Sequence, residues 1–374
     1  MTRLVSGAPV REPGTREAIG VAVASPDRQY DFRSGPWLLT GNDGRLLVFG
    51  HVEGAVLRWT ERRPGGPEWI GPDVLPMKGL THLAVFQGRN RYAQLVGRRV
   101  RASGQVPVVD LVYAIQYQAG RPLSEWRSLG NPHAKRERTA QLGEPTGVVD
   151  ASGTLHVLAP TAEGRLALRR EDRQGRWEPW HDVGVATCTG VPAAAATSNG
   201  FVEILAPGRG GALMWGQQEP GGAFHRSVDL PVVPLPGSAT ALETSPGRTT
   251  YYLTDARTGA VMAVRAGEWP IQLDGVLPGD GRHAAVAATV DGYACTVLAH
   301  RGVHGRVVLG VCVAEQERSG VWWTDTGMAT LGDPALALDG HGRVMVLAVA
   351  PDGAPSVARQ EDGPGLNLGA WKRI

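Results

Sequence analysis

The chain has 374 residues, with 51 Gly and 27 Pro, and 42 % of it is hydrophobic. That many chain-breaking residues exclude an architecture of long helices, and the apolar content excludes a disordered chain. A net charge of +2, from 38 basic and 36 acidic residues, gives no field that would recruit nucleic acid or an anionic membrane, so neither is expected as a partner.

The first stretch, "MTRLVSGAPVREPGTREAIG", has no apolar core of the secretory type, and no run of 18 apolar residues follows anywhere. A cytoplasmic location is the expectation. Residues 1–34 read as an N-terminal segment, in which "GVAVAS" (20–25) is expected to help close the structure that follows. Residues 35–374 read as one repeat domain.

The repeat begins with "GPWLLTGNDGRLLVFGHVEGAVLRWTER" (35–62). A small or apolar run leads to a polar turn with Gly, then an apolar run, a second Gly turn and a third run. A looser copy occupies 80–118. The pattern returns in "EPTGVVDASGTLHVLAPTAEGRLALRRED" (144–172), in 191–218, 238–267 and 283–315, and in "DPALALDGHGRVMVLAVAPDGAPSVARQED" (333–362). Each copy is followed by an aromatic residue and a short strand. With Trp69, Trp126, Trp180, Phe224, Trp269, Trp323 and Trp371 as markers, the steps run from 44 to 57 residues. Four strands of about five residues, joined by short turns, consume about that length. Asp43-Gly44, Asn199-Gly200, Asp291-Gly292 and Asp352-Gly353 supply the positive φ that tight hairpins need. The tiny side chains of "PAAAAT" (192–197) suit an innermost strand.

Seven such units predict an all-β, seven-bladed β-propeller with four antiparallel strands per blade. Six or eight blades, or a pair of β-sandwiches, fit the even spacing less well. Closing the ring removes sheet edges that an open stack would expose. The three cysteines, Cys188, Cys295 and Cys312, are too few for a disulfide framework and lack metal-type spacing. In "CTVLAHRGVHGRVVLGVC" a turn centred between Val303 and His304 would set Cys295 opposite Cys312. Adjacent thiols are expected there, because a bridge between directly opposed strand residues is strained.

The order of small-apolar strand, Asp/Asn-Gly turn, apolar strand, Gly turn, third strand and W-x-x-W ending resembles the bacterial fucose-binding lectins of the Photorhabdus type. It is also similar to tectonin-like propellers. The clearest ending is "GRWEPWHDVG", with Trp177, Trp180 and Gly184; the sixth copy has Trp322, Trp323 and Gly327, and the second keeps Trp126. The resemblance implies a glycan or similar small polar ligand held in grooves between blades or in an axial pocket. Trp126, Trp177, Trp180, Trp322 and Trp323 are then the candidate ligand-binding residues. Elsewhere the third strands end in "RWTER", "LRRED", "AVRAG" and "ARQED", so one or a few sites are expected rather than seven equal ones. The richness in Ala, Arg, Gly and Val suits a high-GC bacterium.

Catalytic motifs are sparse. No phosphate loop, nucleophile elbow, HExxH or calcium loop occurs, so no cofactor and no metal are expected. His300 and His304 flank a predicted turn without a third ligand and read as an exposed turn. The basic clusters "GRRVR" (97–101) and "HAKRER" (133–138) read as solvated loops. His82 and His283 fall on first strands among apolar neighbours, and Glu243 on the corresponding strand of the fifth copy. If those side chains enter the central channel, they form an acid–base set. The readings are therefore a lectin-like binder, a biosynthetic enzyme of cyclase, lyase or hydrolase type working in the axial pocket, and a protein-interaction platform. Each single tryptophan equally suits a wedge between blades, but the second of a pair cannot share that place and is expected to be exposed.

Overall fold

The computed structural model describes residues 29–374, apart from positions 103, 105, 173 and 185. The expected "GVAVAS" contribution to closure lies outside the described residues. Seven four-stranded antiparallel sheets succeed one another along the chain. Their innermost strands are Ser34–Thr40, Leu80–Gln87, Thr146–Val149, Ala193–Ala196, Thr240–Ser245, Ala284–Val290 and Ala335–Leu338. Each innermost strand neighbours the next, and the last neighbours the first, so the sheets form a closed seven-bladed β-propeller. Among the described residues, helix is confined to one turn at Arg136–Thr139 and a 3₁₀ turn at Glu317–Ser319. Among the described residues, no helix is long and apolar enough to cross a membrane.

Burial follows from this geometry. The two middle strands of a blade are covered on both faces, so Leu46–Val52, Ala55–Glu61 and Val344–Val349 are buried almost end to end. Outer strands such as Trp322–Ala329 are mostly exposed or half-buried. The apolar core divides into seven clusters, one per interface between adjacent blades. At about 1.5–3 kcal/mol for each large apolar side chain withdrawn from water, these clusters hold the ring together.

Among the described residues, contacts join blades seven and one at the seam. Residues 335–373 supply all four strands of blade seven. Tyr30 and Phe32 pack on Trp59, and the Tyr30 N–H reaches the Gly353 carbonyl at 3.4 Å. Arg359 of blade seven meets the buried Glu61 of blade one at 2.5 Å and donates to the Gly65 carbonyl at 2.8 Å.

Two expectations need correction. In the blade-six hairpin, Arg301 pairs with Val307, one residue later than expected, because Gly305 takes a positive φ of 69° and lengthens the turn. Cys295 therefore faces Val313, and Cys312 faces Thr296. Neighbouring positions on a strand point to opposite faces, so the two thiols lie on opposite sides of the sheet. All three cysteines are free and buried. The "GRRVR" cluster is also not merely solvated: Arg98 donates to the Leu142 and Ala140 carbonyls, and Arg99 pairs with the buried Asp110.

Candidate functional site

A propeller blade packs both sheet faces against its neighbours. Side chains on the innermost strand therefore alternate between two interfaces. What faces the axis is the strand edge and the linker that leads into it. At the end of the ring where these strands begin, the linkers surround an axial cavity of about 620 Å³. All seven blades contribute, from Ser34–Leu38 of blade one to Leu331–Leu336 of blade seven.

The linkers carry the chemistry. Before Pro36, Pro145, Pro192 and Pro334 stand Gly35, Glu144, Val191 and Asp333. Blade six places Arg282 in its linker and blade five Ser238, whereas His82 of blade two lies within the innermost strand, beside the register irregularity between Leu80 and His82. Glu144, Arg282, Asp333 and His82 all line the cavity, as does the half-buried Trp37, whose ring also packs against the core between blades one and two.

The His82 Nε2 lies 3.0 Å from Glu144 Oε1. A carboxylate only accepts, so Nε2 carries the proton between them. Its Nδ1 is 3.2 Å from Thr81 Oγ1, which fixes the ring plane. The hydrogen bond from His82 holds the Glu144 carboxyl below the usual carboxylate range, against the effect of burial and with help from the charges of His82, Arg282 and Arg98. Asp333 is the opposite case. Burial raises its pKa, although the Arg282 backbone N–H and the Arg282 and Arg301 guanidinium groups act against the rise. Its carboxylate sits directly over Gly281, whose φ is +118°, and a Cβ at that position would overlap Oδ1. One cavity thus holds two carboxyl groups with opposite protonation tendencies and a guanidinium that acts on both.

A second concavity, a groove of about 690 Å³, lies between blades five and six. Gln272, Asp274, Arg306, Asp325 and Trp323 line it, beside the exposed apolar side chains of Leu277 and Val303. The Gln272 side-chain amide donates to Asp274 Oδ1 at 2.6 Å.

The residues singled out from sequence are scattered. His82 is in the axial cavity. His283 contributes to its wall, but its ring does not enter the channel: it is 1 % exposed and turns into the interface between blades five and six. There its Nε2 meets Thr254 Oγ1 at 2.8 Å, and its ring lies 5.3 Å from that of His300. His300 is likewise not an exposed turn residue. It is 2 % exposed and packs 5.4 Å from the Trp323 ring. Burial, and for His283 the neighbouring His300, lower the two pKa values to about 3 and about 4 respectively. Glu243 does not line the cavity. Its Oε1 accepts from the Ser198 and Gly247 N–H groups at 2.5 and 2.7 Å, tying blade five to blade four.

Four of the five tryptophans serve as wedges. Trp126 packs between blades one and two, and Trp177 and Trp180 both pack between blades two and three. Trp177 stands edge-on to Tyr113 at 5.4 Å, while the Trp180 indole N–H donates to the Leu129 carbonyl at 2.8 Å. The expected exposure of one member of a pair fails in blade three, because both rings pack against the core between blades two and three. In blade six it holds: Trp323 packs between blades and donates to the Asp274 carbonyl at 2.8 Å, whereas Trp322 is 67 % exposed. Trp269, the expected wedge of blade five, is 76 % exposed. Tyr251 and Met262 fill that interface instead.

Trp37, Glu144, Arg282 and Asp333 were not singled out from sequence. For Glu144, Arg282 and Asp333 the available signal was the linker ahead of the innermost strand in blades three, six and seven, where a charged residue stands in place of an uncharged one such as Val191 or Ser238. Among the described residues, no group of three His, Cys, Asp or Glu side chains converges as a metal site would require.

No family model and no curated protein sequence matches the chain. Solved structures do resemble it. An arginine-to-alanine triple mutant of AofleA from Arthrobotrys oligospora has a TM-score of 0.52 at 12 % identity, over 79 % of this chain and 88 % of that one. SapL1 lectin, in complex with alpha methyl fucoside, has a TM-score of 0.49 at 10 % identity, over 92 % and 96 %. An alpha-L-arabinanase from Penicillium chrysogenum, complexed with arabinobiose, has a TM-score of 0.48 at 14 % identity, over 79 % and 96 %. At these identities the likeness is one of fold.

Proposed function

We propose that this propeller binds a small polar ligand of the carbohydrate class, and that the axial cavity is the principal site. The observation that carries the reading is that His82, Glu144, Arg282 and Asp333 line one axial cavity, to whose wall Trp37 also contributes. The corresponding positions of other blades carry Gly35, Val191 and Ser238, which have no charge to offer. Carboxylates accept from vicinal hydroxyls, a guanidinium donates to them in a fork, and an aromatic ring covers the apolar C–H face of a sugar. In this reading the chain is a divergent relative of fucose-binding lectin propellers of the Photorhabdus type, with its site moved from the grooves to the axis.

The groove between blades five and six supports a second placement of the same activity, because Gln272, Asp274, Asp325 and Arg306 surround the edge of Trp323. Saturation-transfer NMR with a panel of free monosaccharides and methyl glycosides separates the two. Binding that weakens at least about tenfold in Trp37→Ala and Glu144→Ala, and is unchanged in Asp274→Ala, supports the axis. The reverse pattern supports the groove. Transfer to no sugar defeats both.

A further inference from the structure

Glu144 and Asp333 belong to blades three and seven. These lie three steps apart around the ring in one direction and four in the other, the widest separation that seven blades allow. The two carboxyl groups therefore enter the same cavity from opposing walls. They are held differently: Glu144 faces the His82 imidazole at 3.0 Å, and Asp333 lies over Gly281 at the Arg282 amide. We infer that the axial cavity hydrolyses a glycosidic bond, with Asp333 as general acid and Glu144 as general base on opposite sides of the sugar. The inference rests on the axial placement of the ligand.

The step balances as follows. Asp333 gives its proton to the glycosidic oxygen as the C1–O bond breaks, and the bonding pair leaves on that oxygen. A water molecule attacks C1 from the opposite face and loses a proton to the free Glu144 oxygen. The products are an alcohol and a hemiacetal of inverted configuration, as expected when water must fit between a base and the sugar. Burial raises the pKa of Asp333, and the hydrogen bond from His82 lowers that of Glu144, the directions that an acid and a base require. Arg282 stabilises the Asp333 carboxylate once its proton has gone. His82 is a positioning residue that acts through Glu144.

The test uses the full chain and a panel of 4-methylumbelliferyl α- and β-glycosides of pentoses, hexoses and 6-deoxyhexoses. At least one should turn over, with a bell-shaped pH profile and an inverted product anomer by proton NMR. Glu144→Gln should lower kcat by about 10²–10⁴-fold while the fold, read by circular dichroism, is retained. Asp333→Asn should lose less on these activated leaving groups than on methyl glycosides. His82→Gln should move the acidic limb of the profile upward, and Trp269→Ala, far from the cavity, should change nothing. Turnover of no panel member, or turnover that survives Glu144→Gln, overturns the inference. If sugars still bind by saturation transfer when none is turned over, the hydrolysis claim fails alone; if none binds, the binding reading fails with it.

Discussion

The buried histidine pair makes the molecule sensitive to mild acid. His283 and His300 are 1 % and 2 % exposed, and the folded protein holds their pKa values near 3 and near 4. Both lie below the ordinary value of 6.5, so the unfolded chain takes up protons that the folded chain refuses. The stability they leave intact above pH 6.5 is lost as pH falls toward the folded values. At pH 5 each unfolded imidazole gains about 2 kcal/mol from protonation, so the pair together costs about 4 kcal/mol between pH 7 and pH 5. The proposed variant is His283→Gln with His300→Phe, in which neither side chain titrates. His300→Phe also removes two ring nitrogens that have no hydrogen-bond partner. Urea titrations followed by tryptophan fluorescence, at pH 7 and pH 5, give both free energies. Glu61, Glu171, Glu203 and Asp333, whose pKa values are raised by burial, pull the other way in this window, but they are common to both proteins and cancel in the difference. An equal pH 7-to-5 loss in the wild type and the double variant would refute the reasoning.

Three further outcomes follow from the same contacts. Arg359→Ala leaves the fully buried Glu61 without its ion-pair partner and should cost about 3–5 kcal/mol in chemical denaturation, whereas replacing both residues by Met should recover much of the loss. The two tryptophans of blade six should separate: Trp323→Ala, at a half-buried wedge, destabilises by about 1–3 kcal/mol, and Trp322→Ala by less than about 0.5 kcal/mol. Burial pushes the Cys188 and Cys312 thiols up to about 11 and about 12, so no thiol should react with Ellman's reagent in the native protein at pH 8, and all three should react in urea without prior reduction.

The blades were legible because each repeat carries its own punctuation. A polar turn with Gly, apolar runs of strand length and an outer aromatic recur at nearly even spacing, and nothing but a ring of four-stranded sheets uses them all. The hairpin at Arg301–Val307 was misjudged by one residue, since a turn closed by Gly305 differs from a tighter one only in backbone conformation. The site was less legible for a geometric reason. Reading His283 and Glu243 as channel residues assumes that innermost strands point their side chains at the axis, whereas these two point at neighbouring blades; His82 reaches the cavity beside a register irregularity between Leu80 and His82. Glu144, Arg282 and Asp333 stand in linkers far apart in the chain, and only the ring brings blades three, six and seven to one cavity. Trp37 lay hidden at the start of an apolar strand, away from the aromatic endings that marked the repeat.

The most direct measurement is a crystal structure with the sugar that gives the strongest saturation transfer. The account predicts its ring against Trp37, with hydroxyls on Glu144 and Arg282 and Asp333 on the far wall. A sugar seated against Trp323 between blades five and six, with the axial cavity holding only water, would contradict it.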